Sequence, residues 1–112
     1  MKKFEVAFKG LYAACKHASV MIQMVLALIA LIAGIVLGFS LDDMLLIILC
    51  IGMVVVSEIF NTAIEFLCDL YCQEYNEKIK LIKDISAGGV LFAALVALSV
   101  ACLLFFKYYG GM

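Results

Sequence analysis

Apolar positions along the chain fall into four blocks separated by short polar interruptions. Residues 4 to 16, FEVAFKGLYAACK, place Phe4, Phe8, Leu11, Tyr12 and Cys15 at helical spacing with lysines on the other side. That is the pattern of an amphipathic helix lying in a membrane interface. From Ala18 to Leu41 no residue is charged and Gln23 is the only strongly polar side chain, and at ~1.5 Å rise per residue this block is long enough to span a bilayer. The turn FSLDD at 39 to 43 follows, where Ser40 or Asp42 can cap the next helix. Met44 to Ser57 is too short to cross alone, but the helical pattern continues through Glu58, Asn61, Glu65 and Asp69 to about Tyr71. Residues 72 to 84 read as a polar loop of mixed charge, and Ile85 to Phe106 is a further uncharged span closed by Lys107, Tyr108 and Tyr109, aromatic residues suited to the interfacial belt. The pattern predicts an all-α membrane protein in one domain, 1–112, with a surface helix at about 4–16 and transmembrane helices at about 18–40, 43–71 and 80–107.

Composition agrees. Of 112 residues 68% are apolar and only 15% charged, with no Pro and no Trp, too greasy for a soluble domain of this size. Lys2, Lys3, Glu5, Lys9 and Lys16 are spread among apolar positions instead of forming a basic start before a greasy block, so no cleavable leader is expected. A net charge of -1 with no basic run sets nucleic-acid binding aside. Seven of the eight lysines lie in the N-terminal segment and in 72–84, whereas the first turn has two aspartates and no lysine. By the positive-inside rule the N-terminus and the second loop are expected on the cytoplasmic side. The five cysteines, Cys15, Cys50, Cys68, Cys72 and Cys102, form no CxxC pair and read as free thiols that pack as small hydrophobes.

The chemistry gathers on the second crossing. Glu58, Asn61, Glu65 and Asp69 lie at helical offsets that put them within about 80° of one another, one polar stripe. A charged group inside the membrane costs on the order of 2.5 to 3.5 kcal/mol on insertion scales and normally faces a partner helix or a wet cavity. The plain structural reading is that the stripe joins helices through hydrogen bonds, as Asn61 alone could do. Three acids with few cations nearby make poor glue, and suit a divalent cation or a proton better. Glu58 is about 10 Å deeper than Glu65 at helical rise, and deep burial disfavours a charged carboxylate, which suits a group that takes a proton. Glu65 is better placed to hold a metal. Lys83 and Asp84 return to the level of Glu65 at the start of the third crossing, where they can meet a phosphate or simply anchor the helix. No GxxxxGKS or GxxxxGKT loop, GxGxxG or Ser-His-Asp pattern is present to name a substrate.

Three blocks carry a resemblance: SEIFNTAIEFLCDL at 57–70, EY at 74 and 75, and KDISAGGVL at 83–91, with KGLYAA at 9–14 before them. In sequence and spacing they resemble the prokaryotic diacylglycerol kinase and undecaprenol kinase family, over nearly the whole chain. The resemblance implies a homotrimer of three-helix subunits in the bacterial cytoplasmic membrane, transferring the γ-phosphate of Mg-ATP to a lipid hydroxyl near the cytoplasmic face. It implies that Glu58 is the catalytic base, that Asn61 is a neighbouring site residue, and that Glu65 binds the magnesium that bridges the ATP phosphates. Glu74, Tyr75, Asn76, Lys83 and Asp84 fall at the family's nucleotide-binding positions, and Ser86 and Ala87 near the level of the lipid substrate. Ser86 to Gly89 also read simply as small residues for close helix packing.

The first crossing departs from that family. A metal-binding Glu of the family falls at His17, within KHASVMIQM, and an Arg and a His of the family become Met21 and Gln23; the His that usually follows EY is Asn76. Magnesium prefers hard oxygen ligands, so His17 reads as an interfacial residue without a role, as a phosphate or nucleotide contact, or as an altered metal ligand. The functional expectation is an ATP-dependent kinase of undecaprenol or diacylglycerol, with the short N-terminus leaning to undecaprenol. The alternatives are a small proton- or cation-coupled transporter built around a deep Glu, and a divergent, weakened lipid-binding family member.

Overall fold

The computed structural model describes residues 2–110. The described chain forms four helices: α1 Lys2–Cys15, α2 Ala18–Val36, α3 Leu41–Tyr71 and α4 Glu77–Tyr109. Three of them, α2, α3 and α4, are long and apolar enough to cross a membrane. α3 packs most extensively on α4 and next on α2, while α1 touches α2. The result is a slab of 54 × 39 × 19 Å, about one to two helix diameters thick. Few apolar side chains are buried in it, namely Val20, Val54, Cys68, Ala93 and Leu104, so most of its apolar surface is left for lipid or for other chains.

Local chemistry explains each boundary. α2 stops at Val36, earlier than the expected 40, because Gly38 adopts φ 74°, a left-handed conformation that glycine takes without a side-chain clash. The Phe39 amide then donates to Gly34 O at 3.0 Å and the Gly38 amide to Ile35 O at 3.2 Å, which satisfies two carbonyls at the helix end. Ser40 caps α3: its hydroxyl accepts from the Asp43 amide at 3.2 Å, and Asp42 and Asp43 occupy the first turn, where carboxylates suit the helix dipole.

The loop read at 72–84 is shorter than expected. α4 already begins at Glu77 because the Asn76 side chain accepts from the Lys78 and Ile79 amides at 2.9 and 3.2 Å, and Lys80 pairs with Asp84 one turn on at 2.7 Å. Mixed charge looked like loop, but at i,i+4 spacing it supports an exposed helical turn. α3, with 31 residues, and α4, with 33, are therefore ~46 and ~50 Å long at 1.5 Å per residue, against ~30 Å of hydrocarbon. Both helices are thus longer than the hydrocarbon core is thick.

At the opposite end, the α2–α3 turn is clasped to the C-terminus of α4. Asp43, buried, receives Lys107 Nζ at 2.8 Å and the Tyr108 hydroxyl at 2.6 Å on the same oxygen. The Ser40 amide donates to the Tyr108 hydroxyl at 3.0 Å, and the Phe39 and Tyr108 rings stack with centroids 4.4 Å apart. The sequence reading placed these tyrosines only in an interfacial belt.

Candidate functional site

The polar stripe on α3 survives as one face, and its members differ in surroundings. Glu58 is 7% exposed, and its carbonyl accepts the Thr62 hydroxyl at 2.9 Å. One turn on, Asn61 donates from Nδ2 to Glu65 Oε1 at 3.1 Å, which holds that carboxylate on the stripe. Asn61 Oδ1 is buried and has no hydrogen-bond partner among the described residues, though such a group normally finds a donor. Glu65 is exposed, free to meet a ligand with its other oxygen.

The start of α4 faces the lower part of this stripe. Lys83 Nζ meets Asp69 Oδ1 at 2.6 Å, the cross-link between α3 and α4 at this end. Asp84 is committed to Lys80, so Lys83 and Asp84, adjacent in sequence, point to different neighbours. Among the described residues neither Glu58 nor Glu65 takes part in any of the three ion pairs.

The other predicted positions surround this core less tightly. Glu74 and Tyr75 are exposed in the short connection between α3 and α4, where the Cys72 thiol donates to Glu74 O at 3.3 Å. Asn76 is exposed, and its side-chain oxygen serves as the cap of α4. Ser86 is half-buried and Ala87 exposed on the first turns of α4. His17 is exposed at the corner between α1 and α2, in the cap position of α2 but without a side-chain capping bond.

Two cavities flank these elements. One of about 400 Å³ lies between α1 and α3, lined by Gly10, Ala14, Ile59, Thr62 and Phe66 among others. Thr62 connects it to Glu58. A larger apolar cavity of about 650 Å³ opens among α2, α3 and α4, with Ala27, Ala30, Ala97 and Ala101 in its walls, and contains none of the stripe residues.

A family model described as prokaryotic diacylglycerol kinase matches residues 5–105. The chain belongs to that family. It is thus a lipid kinase and a multi-pass bacterial membrane protein. Membership spans every candidate residue from His17 to Ala87. Among relatives, the chain is 31% identical to the diacylglycerol kinase of Escherichia coli over 105 residues, 93% of this chain and 86% of that one. It is 33% identical to the undecaprenol kinase of Bacillus subtilis over 75 residues, 67% of this chain and 61% of the relative. A shorter stretch of 54 residues is 46% identical to the diacylglycerol kinase of Synechocystis, 46% of this chain and 31% of that protein.

The donor set can be tested against magnesium, the ion that kinases usually bind together with ATP. Magnesium keeps several waters and takes one or two carboxylates together with substrate phosphates. Among the described residues no group of three or more His, Cys, Asp or Glu side chains could hold a metal. Glu65, exposed and steadied by Asn61, offers one hard oxygen ligand. The residues therefore fit an ion that arrives with nucleotide phosphates. A metal retained by protein ligands alone finds no such set.

Sequence reasoning counted Asp69 in the stripe but gave it no partner, and it treated Lys83 with Asp84 as a set. A signal was present: Asp69 and Lys83 are symmetric about residue 76, within the short connection, as facing residues of an antiparallel helix pair must be.

Proposed function

We propose that this chain transfers the γ-phosphate of Mg-ATP to the hydroxyl of a membrane lipid alcohol, diacylglycerol or undecaprenol. The observation that carries the reading is the graded stripe on α3, with buried Glu58 above the Asn61–Glu65 hydrogen bond and Lys83 beside it at Asp69. Glu58 is assigned as the base that takes the hydroxyl proton. Glu65 is assigned to the magnesium ion, with Asn61 holding its carboxylate. Magnesium bound with the nucleotide supplies charge neutralisation across the phosphates. Phosphoryl transfer needs chiefly positioning and charge stabilisation from protein, which a small helical chain can provide.

Lys83, Asp84, Glu74, Tyr75, Asn76 and His17 are assigned to the nucleotide side. There Asn76 contributes through its backbone or by shaping the connection, because its side-chain oxygen already caps α4. The cleft beside Thr62, together with Ser86 and Ala87 on α4, is assigned to the lipid. The lysines of α1 and of the first turns of α4 favour a cytoplasmic location for this end in the inner membrane; the thin slab with its exposed apolar surface favours assembly with further copies, and the homotrimer is what the family resemblance implies. A cation-coupled transporter explains the deep Glu, but it gives no reason for family membership or for the exposed charged residues on the α4 side of the site.

The test is transfer of label from Mg-ATP by purified protein in mixed micelles, with diacylglycerol and undecaprenol offered separately. Label in one lipid establishes the reaction and its substrate. Label in neither, with both lipids dispersed and Mg-ATP saturating, overturns the reading.

A further inference from the structure

We propose that Asp69 is a positioning residue for nucleotide binding: it holds the Lys83 ammonium in place beside Glu65 and is itself no ligand of the metal. The proposal rests on the kinase reading above. Lys83 Nζ lies 2.6 Å from Asp69 Oδ1, across the α3–α4 boundary. Asp69 stands one turn beyond Glu65 on the same stripe, so the lysine is delivered to the level of the exposed carboxylate.

Stability gives a weak reason for the pair. The side chains are 36% and 65% exposed, and ion pairs that open to solvent contribute little to folding. A lysine has a long flexible stem and a compact charge, and ordering it when an anion binds reduces affinity. A carboxylate that orders it beforehand removes that loss. Lysine has three N–H donors; Asp69 occupies one, and the other two remain for phosphate oxygens. The adjacent Asp84 cannot do this work, because it points around the helix to Lys80 at 2.7 Å.

The same contact sorts the two exposed acids of the stripe. Asp69 has its charge matched by Lys83, while among the described residues Glu65 forms no ion pair and its carboxylate accepts from the neutral Asn61 amide. Glu65 therefore keeps its charge available for a cation, and Asp69 does not.

The experiment measures Mg-ATP affinity by displacement of a fluorescent ATP analogue from full-length protein in micelles, for Asp69→Ala, Asp69→Asn, Lys83→Met and the Asp69→Ala/Lys83→Met double variant. Asp69→Ala is expected to weaken Mg-ATP about threefold to tenfold, in the lower part of the range of coupling between contacting residues because the pair is open to solvent, with Asp69→Asn between it and the unsubstituted protein. In the Lys83→Met background, Asp69→Ala is expected to have no further effect. At fixed ATP, the magnesium concentration for half-saturation should stay where it is in Asp69→Ala and shift in Glu65→Ala. Additive losses in the double variant, unchanged affinity in Asp69→Ala, or a magnesium shift like that of Glu65→Ala would each overturn the proposal. Lipid labelling is run in parallel. Mg-ATP binding without transfer to either lipid fails the kinase reading while the Asp69–Lys83 coupling is still read from binding, and absence of Mg-ATP binding by the unsubstituted protein overturns both.

Discussion

Glu58→Gln isolates the proposed proton transfer from everything else in the site. The substitution keeps the size and shape of a side chain that is 7% exposed and removes only its ability to accept a proton. Glu65 is seven positions on from Glu58, ~10 Å along the helix at 1.5 Å per residue, so the site proposed for the nucleotide and its cation lies on a different turn. Turnover should therefore fall while Mg-ATP affinity is unchanged. Positioned general bases contribute typically about 10² to 10⁴ in rate, which corresponds to roughly 2.7 to 5.5 kcal/mol of activation free energy at 1.36 kcal/mol per decade. The assay is the initial rate of lipid phosphorylation at saturating Mg-ATP and lipid, beside analogue displacement for nucleotide affinity and circular dichroism for helix content. A loss below about tenfold would refute the role of Glu58 as base. An equal loss of Mg-ATP affinity would refute the separation of the two turns.

Glu65→Ala should weaken Mg-ATP binding and raise the magnesium requirement, because it removes the exposed hard-oxygen ligand; an unchanged magnesium titration would dismiss that assignment. Tyr108→Phe removes the hydroxyl that bridges Asp43 Oδ2 and the Ser40 amide, and should lower the midpoint of thermal unfolding in micelles while nucleotide affinity at the far end is retained. Gly34→Leu should destabilise by about 1 to 3 kcal/mol, as overpacking does, because even a Cβ there would come within 2.6 Å of Met44 Sδ. Gly34→Ala should be milder, since the flexible Met44 side chain can shift, and the comparison of unfolding midpoints checks both.

Helix content was legible because the uncharged blocks at 18–41 and 85–106 are long and the stripe that prolongs the shorter block at 44–57 has a helical period. The cap of α3 was legible as Ser40 or Asp42, and the structure gives it to Ser40, with Asp42 in the first turn. Boundaries failed where local geometry outweighed composition. Gly38 ended α2 four residues early by turning left-handed, and Asn76 started α4 inside a segment whose charges read as loop. The stripe itself needed only arithmetic on one helix. The contacts of Asp43 and Asp69 needed the register between two helices, because their partners lie 64 and 14 residues away. That register becomes accessible once the connection is known to be short: Asp43 and Lys107 are symmetric about residue 75, Asp69 and Lys83 about residue 76.

Those two ion pairs also give the site its depth. Along α3 they are 26 residues apart and along α4 24, ~39 and ~36 Å at helical rise. That separation brackets a hydrocarbon layer of ~30 Å with a few ångströms to spare at each end. Asp43 and Asp69 thus stand where carboxylates are expected in a membrane helix, at the interfaces, each opposite a lysine. Glu65, one turn inside Asp69, lies close to the boundary, within reach of a water-borne nucleotide. Glu58, ~16 Å inside Asp69, lies in the apolar layer, buried and without a lysine among its described contacts. A carboxylate serving only to join helices would resemble the two at the interfaces. The depth and the missing cation at Glu58 are what a group needs if it is to meet the hydroxyl of a molecule that never leaves the bilayer.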